Sequence, residues 1–132
     1  MDDLSQLEFD VLDKLLAGED PIVIALRKQL RVARVKSREL TGVGFYTEIE
    51  LPRDVEPAPM RSGAVKFGDV VADVPGLRGG VGFLLFICDG RIEMLEGYTY
   101  EEPWPSQIDS YRLKYATTER RAAKKALGLA PN

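Results

Sequence analysis

The chain predicts an α+β fold: an N-terminal antiparallel helical hairpin packed on a four- to five-stranded antiparallel sheet laid out as a meander, with a weak C-terminal helix. Three observations predict it. Apolar residues recur at helical spacing over residues 7–33, the period changes to two from residue 40, and Asp89-Gly90 stands between two β-rich runs. Asp-Gly signals a two-residue hairpin because a type I′ turn needs φ > 0 at both central positions. Gly takes that conformation freely and Asp tolerates it.

The elements follow in order. Ser5-x-x-Glu8 has the form of a capping box, Leu7, Val11, Leu12, Leu15 and Leu16 make an apolar stripe, and Gly18 stands where a helix-ending glycine belongs. A helix is therefore expected over residues 5–17. Asp20-Pro21 offers an N-cap and a proline at the first helical position, where its missing N–H costs nothing. Ile22, Ala25, Leu26, Leu30 and Ala33 extend a second helix over residues 20–35, closing a helical hairpin within residues 1–36. The sheet is expected over residues 40–116. Val43, Phe45, Thr47, Ile49 and Leu51 alternate with more polar neighbours as a long strand; residues 52–63 hold three prolines and read as a loop, either a lid or a mobile excursion. A second strand covers 65–74, and a fifth is expected over 109–116, with a short helix as its rival. Residues 117–132 form a basic tail, helical or disordered, whose helical pattern stops at Gly128.

The turn at Asp89-Gly90 sets a register for the central hairpin. Cys88 opposes Arg91, Ile87 opposes Ile92, Leu85 opposes Met94, Phe83 opposes Glu96 and Val81 opposes Tyr98. On that register Glu96 points among Phe83, Met94 and Tyr98 on an apolar face, and Gly82 faces Gly97, leaving a bare patch of backbone.

Composition narrows the chemistry. With 132 residues, 45% hydrophobic and 30% charged, the chain is one domain over residues 1–132, large enough to bury a core. One cysteine forbids an internal disulfide, and no apolar run approaches the roughly 20 residues of a membrane span, so a soluble cytoplasmic protein is expected. There is no histidine. That excludes imidazole relays and histidine metal sites, and the carboxylates show no hard-cation spacing; no metal and no cofactor are expected. The net charge is -3, yet residues 27–38 hold six basic side chains and no acid. They either neutralise the acidic first helix or form a phosphate-binding face.

Glu96 is the first candidate site residue. A carboxylate buried beside Tyr98 and Tyr100 would act as a general acid or base, or else would be a structural acid paired with an arginine such as Arg38. Tyr98, Tyr100, Trp104 and Tyr111 would line one end of the sheet as a contact surface. Cys88, facing Arg91, is either a thiol of lowered pKa or a small buried hydrophobe.

Two segments carry a resemblance. LTGVGFYTEIELP (40–52) and GFLLFICDGRIEMLEGYTYEEPWP (82–105) resemble small uncharacterised bacterial proteins with an N-terminal helical part, a G-F strand and a D-G hairpin ending in L-E-G-[YF]-T-Y and W-P. The second segment is also similar to parts of some bacterial immunity-type proteins, which bind and neutralise a toxin. The resemblance implies a bacterial, cytoplasmic setting and brings no catalytic residue.

The expected function is a non-enzymatic binding module for a protein or small-molecule ligand, contacting it through Glu96, Tyr98, Tyr100, Trp104 and Arg38. The alternative is a small isomerase or hydrolase using Glu96 with Tyr98 or Tyr100. A second alternative is weak nucleic-acid binding through Arg27, Arg31, Arg34 and the tail. Free sheet edges make a homodimer a further expectation.

Overall fold

The computed structural model describes residues 2 to 129. Its elements are α1 (Gln6–Leu15), α2 (Pro21–Leu30), β1 (Arg34–Leu40), β2 (Gly44–Glu50), β3 (Ala64–Phe67), β4 (Val70–Asp73), β5 (Val81–Cys88), β6 (Arg91–Thr99), β7 (Arg112–Tyr115) and α3 (Arg121–Leu127). Both expected caps form. The Ser5 hydroxyl accepts from Glu8 N–H while Glu8 Oε1 accepts from Ser5 N–H, and Asp20 accepts from Ile22 N–H. The apolar stripes of α1 and α2 (Val11, Leu12, Leu15, Leu26) meet Phe83, Leu85 and Leu95 of the sheet, all buried. Each such side chain contributes about 1.5–3 kcal/mol, so this seam anchors the helices to one face.

The α+β class holds, and the sheet is wider than expected. Seven strands run in the order β1-β2-β6-β5-β4-β7, with β3 also paired to β5 and every pairing antiparallel. The extra strand is β1, which takes residues 34 and 35 from the end of the expected second helix and the rest from the connection that follows it. Thr41 N–H bonds Gly44 O, and Gly42 takes φ 90° at the first central position of the turn, where type II′ hairpins place glycine. That turn lays β1 along β2, and a full backbone ladder outweighs the weak helical pattern of a segment whose one buried side chain is Val35.

The expected strand over 65–74 is broken into β3 and β4 at Gly68-Asp69, where a Cβ on Gly68 would overlap the Phe83 carbonyl. The layout also differs from a meander. β4, β5 and β6 follow one another, but β6 then lies beside β2, which closes a Greek-key order. The connection from β2 to β3 is fastened rather than a free excursion. Gln29 Nε2 donates to Glu56 O and Gly90 O, Gln29 Oε1 accepts from Ile92 N–H, and the Arg91 guanidinium donates to Pro52 O and Val55 O.

The tail docks. α3 buries Ala123 and Leu127, and Arg120 donates to Asp69 and to the carbonyls of Leu15 and Ala17 at and just past the end of α1. Met1 and residues 130–132 of the expected terminal segments lie outside the described residues.

Candidate functional site

The central hairpin turns where expected, with φ 50° at Asp89 and 75° at Gly90, and its first two pairs are Cys88–Arg91 and Ile87–Ile92. The next step departs from the expected register. Ile87 faces Ile92 but Phe86 faces Met94, so Glu93 is an extra residue bulged out of β6. Beyond it every side chain changes face: Leu85 pairs with Leu95, Leu84 with Glu96, Phe83 with Gly97 and Gly82 with Tyr98. Leu95 is buried under the helices in the place expected for Met94, and Gly97 takes the place expected for Glu96. Glu96 is half-buried on the opposite, outer face.

That face carries the tyrosines. Tyr46 stands opposite Glu96 across β2 and β6, and the carboxylate raises its pKa by charge first and also by accepting its hydroxyl. Tyr98 leans across β5, its ring covering the bare backbone of Gly82, and meets Tyr100 edge-on at 5.5 Å between centroids and 75°. Burial, then the Tyr100 hydroxyl and the charge of Glu96, push Tyr98 up to about 12. Leu84, Phe86 and Met94, all half-buried, continue the surface toward the turn. Gly82 and Gly97 are not opposed as expected, yet each admits a close neighbour: Tyr98 on the outer side of Gly82, the Phe45 ring on the inner side of Gly97.

The outer surface is acidic along its β1–β2–β6 half. Register places Glu39, Glu48 and Glu50 there with Tyr46 and Glu96, and Glu93 beside Cys88, against Arg34 and Lys36, whereas the β3–β4–β7 half carries Lys66, Arg112 and Lys114 against Asp73. Cys88 is half-buried, and burial followed by Asp89 and Glu93 raises its thiol pKa; Arg91, expected to lower it, points into the 52–55 loop instead.

Trp104 and Arg38 lie on the other face, so the five expected site residues divide between two surfaces. The Trp104 ring packs edge-on against Phe45 at 5.2 Å, and the Trp104 backbone N–H donates to Gly42 O. Arg38 grips not Glu96 but Glu8. Its Nε and Nη2 donate to the two Glu8 oxygens at 2.9 and 2.7 Å, and Thr47 Oγ1 donates at 2.5 Å. Glu8 is 3% exposed. Burial alone would raise its pKa, but Arg38, Thr47 and Ser5 N–H outweigh burial and hold the carboxyl below its ordinary value. The buried acid sought in the hairpin is thus in α1. Its capping-box position accounts for one of its partners and gave no sign of the rest.

Tyr111 also faces the helices, its hydroxyl donating to Asp10; burial first and that bond second push it up to about 12. The basic run is largely engaged: Arg27 bonds Leu16 O and Gly18 O, Arg34 pairs with Asp3, and Lys36 lies 3.9 Å from Glu48. Surface grooves of 390–490 Å³ lie elsewhere on the described residues, and none of Glu96, Tyr98 and Tyr100 lines these. No described helix is long and apolar enough to cross a membrane. Comparison with protein-family models, with curated proteins and with solved structures finds no match to this chain.

Proposed function

We propose that this protein is a non-enzymatic binding module that presents the outer face of its sheet to a basic protein surface. The observation that carries this reading is the placement of all three helices on one side of the sheet, which leaves Tyr46, Tyr98, Tyr100, Leu84, Phe86 and Met94 bare on the other. Tyrosines and aliphatic side chains supply desolvated anchors, and the carboxylates of the β1–β2–β6 half favour a cationic partner there and disfavour an acidic one. An immunity-like role in a bacterial cytoplasm fits such a surface, with the partner a basic toxin. A flat, open Glu96 is poorly placed to exclude water from a substrate, which weighs against the acid–base reading. The engaged arginines weigh against nucleic acid.

Capture from a bacterial lysate with wild type, Glu96→Lys, Tyr98→Ala and Trp104→Ala tests the reading. A basic protein retained by wild type and by Trp104→Ala but lost by both outer-face variants is the expected result. Equal capture by all four proteins would sink it.

A further inference from the structure

β1 forms one edge of the sheet, and its exposed backbone is already used once. Val35 N–H donates to Asp2 O at 2.7 Å in an isolated antiparallel bridge, the first rung of an added strand. Among the described residues the rung is not continued. With Thr41 N–H held by Gly44 O, antiparallel alternation turns the amides of Arg38 and Leu40 away from β2, and no described residue outside the sheet bonds them. Residues 36–40 are all exposed, Leu40 at 75% and nearby Val43 at 48%. Beside this edge lies a groove of 430 Å³ between the first turn of α1 and the 104–109 segment, floored by Leu7, Leu40, Phe45, Trp104 and Ile108 with Arg38 at one end.

We infer that this edge is a β-augmentation site for an extended peptide that alternates apolar with basic side chains. It runs antiparallel to β1 on the line that Asp2 begins. The side chain opposite Leu40 enters the groove, and the next one, opposite Glu39 on the outer side, meets a carboxylate. A second copy of this chain is a poor occupant. Asp2 and the turn at Gly42 leave two symmetric antiparallel registers, one setting Arg38 against Arg38 and the other Glu39 against Glu39. A peptide carrying lysine there removes the repulsion.

A fluorescent, end-blocked heptapeptide of alternating lysine and valine is the probe, and fluorescence anisotropy the readout. Its twin with the central valine replaced by proline keeps the charge and loses the strand. Saturable binding of the first peptide, with new hydrogen-exchange protection of the Arg38 and Leu40 amides, is expected. The proline peptide and the Leu40→Glu variant bind about tenfold or more weakly. Tyr98→Ala, which changes no charge and lies two strands away on β6, leaves binding unchanged, which separates this site from the surface proposed above. Leu40 is so exposed that Leu40→Glu retains the wild-type melting temperature. Equal binding of both peptides, no loss in Leu40→Glu, or no binding at millimolar peptide overturns the inference.

Discussion

Glu8 has four donors around its carboxylate: Ser5 N–H, two nitrogens of Arg38 and Thr47 Oγ1. A buried carboxylate that loses a donor pays desolvation without its compensation, so Thr47→Val is expected to lower stability by about 1–3 kcal/mol in urea unfolding. Because the folded pKa of Glu8 is lowered, its contribution is full above the ordinary Glu range and is lost as pH falls through the folded value. Acidification should therefore erode wild type more than Glu8→Gln, and parallel losses would assign the effect to other carboxylates. The tyrosines run the other way. Tyr98 and Tyr111 ionise at about 12 against an ordinary 10.0, so the unfolded chain releases their protons first and stability falls as pH rises from 10 toward 12. An ultraviolet tyrosinate titration of Gly82→Ala checks the cause. A Cβ there meets the ring end of Tyr98, lifts it from the strand, and returns its ionisation toward the ordinary value.

At the scale of elements, the parts with a local code were legible in the sequence and the parts settled by pairing were not. The capping box, Asp20-Pro21 and Asp89-Gly90 each specify their own backbone, and each is found. The run Ile92-Glu93-Met94-Leu95 carries no such code. Met94 or Leu95 fills the inner face equally well, and only the bulge at Glu93, which lets Gly97 pass under Phe45 of β2, decides between them. The half of the candidate site placed by that hairpin was therefore assigned to the wrong face. β1 was hidden for a related reason, since its amphipathic pattern is nearly empty and its partners come from β2 and Asp2. Gly97→Ala is expected to cost about 1–3 kcal/mol, because its methyl would overlap the Phe45 ring. Gln29→Met keeps the bulk of α2 but removes the bonds to Glu56 and Gly90, so limited trypsin digestion should newly cut at Arg53 and Arg61. Unchanged cleavage would assign the fastening to Arg91 and to the backbone bonds that tie Ala58 and Gly63 to the 89–90 turn.

For the whole molecule, the decisive feature is the separation of two faces. The helices, Trp104, Arg38 and Glu8 share one; Glu96, Tyr46, Tyr98 and Tyr100 share the other. Variants on the outer face should therefore change partner capture while leaving the melting temperature near wild type, and variants around Glu8 should do the reverse. The interruption at Gly68-Asp69 ties the first helix to the last. Asp69, 3% exposed, is answered by Arg120, which also reaches the end of α1. During synthesis the chain emerges from its N-terminus, so the acid between β3 and β4 must wait some fifty residues for its counter-charge. Until the ribosome delivers that arginine the broken row holds an unanswered anion, and the sheet can close for good only once residue 120 has emerged.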